Sequence, residues 1–216
     1  MGPGNADGQA SLESLIPDWI EGLKPALISE AATPEERQAT YRLRYQAVTE
    51  RGWADPADFP EGLEYDEFDD AAVHVCAWLD GKLLASTRVV FPQAYSLLPT
   101  EKTFGCRIEP AGKVIDIGRT VVARQLGGLG RDALIGVLLY CWQLGRRNDF
   151  THCCGAFSAA MLRLYKQLSI EVTVIGEPVT YMGEQRYPMI FELQDRDQRL
   201  LRNLQQRLQR RTQPHT

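Results

Sequence analysis

The sequence predicts an α/β sandwich built on a mixed β-sheet, and three features point to this class. Runs rich in β-branched and aromatic residues alternate with runs of helical periodicity along most of the 216 residues. The pair Asp80-Gly81 between two apolar runs predicts an antiparallel hairpin in the first half of the chain. Further on, the apolar run 113–122, a long helix and a second apolar run together indicate a parallel βαβ unit. The sheet should therefore be antiparallel at first and parallel in the middle.

The individual elements follow in chain order. A weak apolar repeat indicates a short helix within 11–25, and 26–31 is a short strand. Thr33 before Pro34 and two glutamates is typical of a helix start, and this helix should run to about Arg51. The remaining predictions are strands at 73–79, 82–91, 113–122, 149–156, 171–175 and 187–193, and helices at 131–148, 159–168 and 195–211.

Composition limits the classes of function. Hydrophobic residues make up 44% of the chain and charged residues 24%, which is enough apolar content for a folded core. A net charge of −4 argues against a general nucleic-acid binder. The longest apolar stretch, Leu134–Trp142, is too short for a transmembrane segment. The start of the chain lacks the pattern of a secretory signal, so we expect a cytoplasmic protein.

The cysteines further limit the kind of site that the chain can contain. Five cysteines without CxxC spacing indicate neither a metal site nor a disulfide framework.

We expect one main domain at 26–193. A flexible lead with a short helix at 1–25 precedes it, and a charged helix and tail at 194–216 follow.

A glycine-rich junction precedes the long helix. Gly127, Gly128 and Gly130 stand within four positions, where backbone N–H groups can converge on an anion that the helix N-terminus also favours. The spacing fits neither a Walker loop nor a dinucleotide fingerprint. The glycines alone are equally consistent with a turn that only returns the helix to its sheet.

The same junction, as Gln125-x-x-Gly128-x-Gly130, resembles the Q/R-x-x-G-x-G/A element of the GCN5-related N-acetyltransferase (GNAT) superfamily. The order of elements over 26–193 is also similar to that fold. The resemblance implies a GNAT-like α/β/α sandwich on a mixed, centrally splayed β-sheet. It implies that Tyr165, in the later helix, is a general acid for the departing thiolate, the alternative being a packed aromatic with its hydroxyl at the surface. The implied phosphopantetheine-binding residues are Val121, Gln125, Gly128, Gly130 and Arg131.

Charged residues form a second pattern. The loop 64–70 carries five carboxylates, which by default indicates a solvated acidic turn. Arg88 and Arg119, however, each interrupt an otherwise apolar strand, where a charge must be paired. Asp116 stands three residues before Arg119, and a bulge at Gly118 would bring the two together.

The order of these residues resembles the acyl-homoserine-lactone synthases and the related N-acyl amino acid synthases. The resemblance implies a lid over an amine donor, framed by ion pairs, with catalytic roles for Glu64 and Asp116. Asp116 stands where the family usually has Glu, and Gly118 where the lactone synthases usually have Ser or Thr. These departures count against S-adenosylmethionine as the amine donor. The segments 30–37 and 176–183, the latter containing Tyr181, are more similar to the amino acid synthases. The matching positions are Arg44, Trp53, Glu64, Asp66, Asp69, Arg88, Phe104, Asp116 and Arg119.

The implied function is transfer of a fatty acyl group from acyl-phosphopantetheine, carried by acyl carrier protein or CoA, to the amine of an amino acid. Glu64 or Asp116 would accept the amine proton. We expect no tightly bound cofactor, and the acyl chain should lie among Leu97, Leu98 and Phe104. The open alternatives are a lactone synthase using S-adenosylmethionine, an acetyl-CoA-dependent acetyltransferase and a binding module without turnover. Basic residues that could dock an acidic carrier protein are Arg124, Arg131, Arg146, Arg147 and Lys166.

Overall fold

A mixed β-sheet carries the whole fold. The computed structural model describes residues 11–92, 97–124, 126–194 and 198–212. Within these residues the strands are β1 Leu27–Glu30, β2 Val73–Leu79, β3 Lys82–Val90, β4 Val114–Val122, β5 His152–Ser158, β6 Thr173–Val174, β7 Val179–Tyr181 and β8 Glu184–Glu192. The α-helices are α1 Leu12–Glu21, α2 Pro34–Thr49, α3 Pro99–Phe104, α4 Gly127–Arg147, α5 Ala159–Leu168 and α6 Gln198–Thr212.

The strand order is β1-β2-β3-β4-β5-β8-β6, with β7 paired to β8. Strands β1 to β4 are antiparallel neighbours, β4 and β5 are parallel, and β8 is antiparallel to β5. This is the predicted α/β sandwich with its parallel pair in the middle. Helices α4 and α5 supply the crossovers, because parallel strands need a connection longer than a hairpin.

The parallel pair β4–β5 is short. Its register covers only Val114–Asp116 opposite His152–Cys154, although β4 continues to Val122 and β5 to Ser158. The two strands therefore separate toward their C-terminal ends, as expected for a centrally splayed sheet. A gap in the middle of the sheet follows from this separation.

A β-bulge lies on β4 beside this gap. Ser86 pairs with Val121 while Arg88 pairs with Gly118, so two steps along β3 face three steps along β4. Arg119 is the residue in the left-handed region, with φ of +52°. The predicted bulge is therefore present, and it changes the direction of the Arg119 side chain relative to a regular strand.

The first and last helices pack on the domain. Leu12, Ile16 and Trp19 on α1 are almost wholly buried, and α1 contacts α4 and α6. Leu201 and Leu204 of α6 are buried on the same side. The short helix expected within 11–25 is therefore present, and it packs in the core. None of the helices in the described ranges has the length and apolar content needed to cross a membrane.

Several observed boundaries differ from the predicted ones. Strand β5 is His152–Ser158 instead of 149–156, β6 is Thr173–Val174 instead of 171–175, and β8 is Glu184–Glu192 instead of 187–193. Helix α4 begins at Gly127, four residues before the predicted start, because glycine lowers helix propensity and hides a helix start from pattern analysis. Helix α3 and strand β7 were predicted as loop. Both are short, at six and three residues, so neither shows a recognisable periodicity in the sequence, and both depend mainly on tertiary contacts.

We predict that Gly155→Ala destabilises the protein. A Cβ at Gly155 would lie 2.5 Å from the Ile117 carbonyl oxygen and 2.5 Å from the Phe157 ring, so β4 and β5 would have to move. The free energy of unfolding should fall by about 1–3 kcal/mol, measured by urea denaturation.

The matched control is Gly118→Ala on β4, where the nearest atom to the added Cβ is Asp116 Oδ1 at 3.9 Å. This change should be close to neutral. Equal destabilisation by the two substitutions would contradict the close approach of the strands at Gly155.

Candidate active site

Glu64 lies between two arginines at the centre of the charged region. It accepts a hydrogen bond from Arg44 Nε at 2.5 Å and one from Arg119 Nε at 2.9 Å. The terminal nitrogens of Arg44 donate to both oxygens of Asp69, at 2.6 and 3.0 Å. Such two-point contacts fix the orientation of both groups.

Asp66 connects the other side of this arrangement. It accepts from Arg119 Nη2 at 2.8 Å and from Arg88 Nη1 at 2.5 Å, and Arg88 Nη1 also donates to Asp69 at 3.0 Å. The six side chains therefore close into a ring in which every carboxylate bridges two guanidinium groups. We call this the ion-pair ring, and in order around it the members are Arg44, Glu64, Arg119, Asp66, Arg88 and Asp69.

Local backbone structure positions the members of the ring. Arg44 lies on the buried side of α2, with Thr40, Leu43 and Val48. In the acidic loop, the Asp66 N–H donates to Asp69 Oδ2 at 2.8 Å, so the loop folds back on its own carboxylates. Glu64 and Asp69 of this loop are therefore part of the interior, while Glu67 and Asp70 stay exposed.

The ring controls the ionisation of its carboxylates. Burial would raise the pKa of Asp69, but Arg44 and Arg88 outweigh it and lower that pKa to about 2. The pKa of Glu64 is also lowered, because Arg44 and Arg119 together overcome its burial. Both groups are therefore firmly anionic near neutral pH and poorly suited to accept a proton.

Asp116 has a different environment. Its side chain is buried, and it accepts from the Thr100 N–H at 2.7 Å and from the Cys154 thiol at 3.5 Å. Burial raises the pKa of Asp116, and the Thr100 hydrogen bond opposes this only in part. Its predicted pairing with Arg119 is not formed, because the bulge directs Arg119 toward the acidic loop.

A cleft of about 440 Å³ opens above the ring. The separated ends of β4 and β5, the start of α5 and the β7–β8 hairpin form its walls. Arg119 Nη1 donates to the Tyr181 hydroxyl at 2.8 Å and so connects the ring to the hairpin. The predicted site residues that line the cleft are Arg44, Trp53, Glu64, Arg88, Asp116, Arg119 and Val121.

A second cavity of about 480 Å³ lies at the N-terminus of α4. The first residue before the helix, Leu126, makes no side-chain capping bond, and a Cβ at Gly128 would meet nothing within 4 Å. This junction of Gly127, Gly128 and Gly130, which we call the glycine corner, is therefore open on the side of Gly128. Gly130 and Arg131 line this cavity, and the predicted Gln125 lies outside the described residues. The two cavities are adjoining, since both are lined by Val122, Leu134, Ala160 and Met161.

Two predicted residues lie away from the cleft. Tyr165 is 2% exposed, with its ring 5.1 Å from that of Phe157 and 5.2 Å from that of Phe191. This placement favours the alternative of a packed aromatic over that of a general acid. Phe104 ends α3 and is not among the residues that line the cleft, while Leu98 is buried in a small apolar cluster beside it.

Sequence analysis missed several residues that line the cleft. Thr100 supplies the backbone donor to Asp116, and Tyr181 binds Arg119. Arg51 and Arg186 approach the two sides of Trp53 from α2's end and from β8. Of these residues, only Tyr181 lies in a segment that resembles the amino acid synthases. Thr100, Arg51 and Arg186 become neighbours of the site through the fold alone.

Comparison with solved structures shows that other proteins share this fold. The acyl-homoserine-lactone synthase LasI has a TM-score of 0.67 at 16% identity, covering 82% of this chain and 94% of that chain. The CoA-dependent acyl-homoserine lactone synthase BjaI, solved with S-adenosylmethionine and isopentyl-CoA, has a TM-score of 0.63 at 18% identity, covering 84% and 88%. FeeM, an N-acyl amino acid synthase from uncultured soil microbes, has a TM-score of 0.61 at 15% identity, covering 78% and 91%.

The sequence itself identifies the family. The model of the N-acyl amino acid synthase FeeM matches residues 39–191, so the chain belongs to this family. The protein is accordingly an N-acyltransferase. A comparison with curated proteins gave no match.

We predict that Asp69→Asn lowers the free energy of unfolding by about 3–5 kcal/mol at neutral pH, because Arg44 and Arg88 each keep only one carboxylate and the buried ring is left with one uncompensated positive charge. The wild-type pKa of about 2, against 3.8 for an ordinary aspartate, stabilises the fold above pH 4. This contribution, about 2 kcal/mol, should be lost as the pH falls from 4 to 2. Urea denaturation across this pH range measures both effects.

The control is the neighbouring Asp70→Asn, since Asp70 is exposed. It should change stability by less than about 0.5 kcal/mol and keep the wild-type acid dependence. If Asp69→Asn behaved like Asp70→Asn, the ion-pair ring would not be a stabilising unit.

Proposed function

We propose that the protein transfers a fatty acyl group from the phosphopantetheine thioester of acyl carrier protein to the amine of an amino acid. The observation that carries this proposal is that the two cavities adjoin and share four lining residues. A phosphate bound at the open glycine corner leaves the pantetheine arm free to follow the gap between β4 and β5. The thioester would then reach the cleft beside Asp116 and the ion-pair ring.

The glycine corner has the properties needed to bind the carrier phosphate. Backbone N–H groups at the start of α4 and the helix dipole favour an anion, and Gly128 leaves the approach unobstructed. Arg131 is exposed beside the same cavity and adds positive charge. We assign Gln125 to this site on the family pattern alone. Val121 lines the cleft beside the gap, where it would contact the arm.

Asp116 is the better candidate for the base. The attacking amine must lose a proton, and a carboxylate accepts it more readily when its pKa is raised toward neutrality. Asp116 lines the cleft and has a raised pKa, whereas Glu64 is held anionic by Arg44 and Arg119. Glu64 then has a positioning role within the ring.

The remaining steps follow from thioester chemistry. The amine nitrogen bonds to the carbonyl carbon, the oxygen takes the negative charge, and the carbon–sulfur bond then breaks to release a thiolate. Backbone N–H groups of the bulged segment near Arg119 and Val121, where β4 leaves its partner, could stabilise the oxyanion. The proton held by Asp116 could return to the sulfur directly or through water, which leaves no need for Tyr165 as general acid.

The decisive assay combines acyl donors and acceptors. Dodecanoyl thioesters of acyl carrier protein and of CoA are each incubated with mixed L-amino acids or with S-adenosylmethionine, and products are identified by mass spectrometry. Acylated amino acids formed from the carrier protein would support the proposal. Lactone products would identify a homoserine-lactone synthase instead, the function of structural neighbours such as BjaI. No acylated product with any pair would overturn the proposal.

We predict that Asp116→Asn lowers kcat by about 10²–10⁴-fold in this assay, because an amide cannot accept the amine proton. Tyr165→Phe removes only a hydroxyl group from a packed ring and should keep kcat within about twofold. Single-turnover acyl transfer measures both. The opposite order of effects would restore the general-acid role of Tyr165 and remove Asp116 as the base.

We also predict that Arg124→Glu/Arg131→Glu raises the KM for the carrier protein by about tenfold or more, with kcat retained, because an acidic carrier would be repelled. The matched control is Arg42→Glu/Lys82→Glu, which reverses two exposed charges outside both cavities. It should leave this KM unchanged. Equal KM values for the two double variants would place carrier docking elsewhere.

A further inference from the structure

Two arginines enclose one indole ring at the side of the cleft formed by the β7–β8 hairpin. The guanidinium carbon of Arg51 is 4.7 Å from the centre of the Trp53 ring, and that of Arg186 is 5.0 Å from it. Contacts of this length are cation–π interactions, which hold a guanidinium over a ring without using its N–H donors. The ring contacts therefore leave the N–H groups of both arginines to other partners.

The hairpin fixes this arrangement from behind. Gly183 has φ of +68°, and a Cβ there would lie 2.5 Å from Trp53 Cδ1. The turn thus packs directly on the indole. Arg186 Nε donates weakly to the Tyr181 carbonyl oxygen at 3.4 Å, and the Tyr181 hydroxyl accepts from Arg119. Trp53 and Tyr181 therefore hold three guanidinium groups on one wall of the cleft, those of Arg51, Arg186 and Arg119.

This wall carries more positive than negative charge. Arg119 is neutralised within the ion-pair ring, but Arg51 forms no ion pair with any carboxylate among the described residues. Arg186 approaches Glu184 at 3.5 Å through Nη1, beyond a good charge-assisted hydrogen bond. Burial and the nearby charges of Arg51 and Arg119 lower the pKa of Arg186. Like charges held together beside a cavity are stabilised when an anion binds between them.

The position of the wall separates it from the site proposed for the carrier phosphate. Arg51, Trp53 and Arg186 line the cleft, and none of them lines the cavity at the glycine corner where the carrier phosphate would bind. Asp116 lies in the same cleft. We infer that Arg51 and Arg186 bind the carboxylate of the acceptor, so that an amino acid enters with its amine toward Asp116 and its carboxylate on this arginine pair.

This inference rests on the proposed function and adds specificity to it. A guanidinium pair recognises the planar carboxylate, so the enzyme should select amino acids over amines that lack this group. An amino acid amide has the same amine and side chain but no negative charge. It is therefore the matched probe for the contribution of the arginine pair.

The test compares wild type with Arg186→Gln, Arg51→Gln and the exposed control Arg42→Gln. Acyl transfer from dodecanoyl-acyl carrier protein is measured with an equal mixture of L-amino acids and with the corresponding amides. Loss of a charged hydrogen bond should raise the KM for the amino acids by about tenfold or more in each cleft variant. The KM for the amides and for the carrier protein should not change, and Arg42→Gln should match wild type.

A binding measurement without acyl donor separates this inference from the proposed function. Saturation-transfer NMR of each variant with the same two mixtures reports acceptor binding whether or not turnover occurs. A wild-type preference for acids over amides that is lost in Arg186→Gln and Arg51→Gln supports the inference even if no donor is productive. If wild type shows no such preference, or if both variants keep it, the inference is wrong, while product formation with the carrier protein would still support the function.

Discussion

The structure depends on one electrostatic constraint, which is that several charges buried in its interior must neutralise each other. Arg44, Glu64, Asp69 and Arg88 are each at most 2% exposed, and a buried unpaired ion would cost several kcal/mol. The ion-pair ring meets this constraint by giving every charge two partners of opposite sign. Because its members come from α2, the acidic loop, β3 and β4, the ring also joins these elements. The same hydrogen-bonded charges therefore line the floor of the cleft and hold these elements together.

The bulge on β4 connects this ring to the gap in the sheet. A regular strand would direct Asp116 and Arg119 to opposite faces, and the extra residue allows Arg119 to reach Glu64 and Asp66 instead. The same segment is where β4 stops pairing with β5. One local irregularity thus completes the ring and borders the passage to the glycine corner.

Prediction from sequence worked where local pattern or a spaced family pattern determines the structure. The strand Val73–Leu79, the Asp80-Gly81 turn and the helix Ala159–Leu168 were predicted with the observed bounds. The charged residues were recognised, but their closure into a ring depends on four elements meeting in space. Arg51 and Arg186 are 135 positions apart in the sequence, and nothing local marks them as a pair. The expectation for Tyr165 followed a family pattern, and burial against neighbouring rings is not visible in that pattern.

The junction shared by the two cavities has a consequence for the order of binding. No charged residue is among the four that line both cavities, which are Val122, Leu134, Ala160 and Met161. Apolar side chains therefore lie between the glycine corner and the wall that carries Arg51 and Arg186. A phosphate at the glycine corner and a carboxylate at Arg51 and Arg186 would be kept apart by this apolar region, and their mutual repulsion would be small. Both substrates could then occupy the enzyme at once, which suits direct transfer in a ternary complex rather than a relay through an acylated side chain.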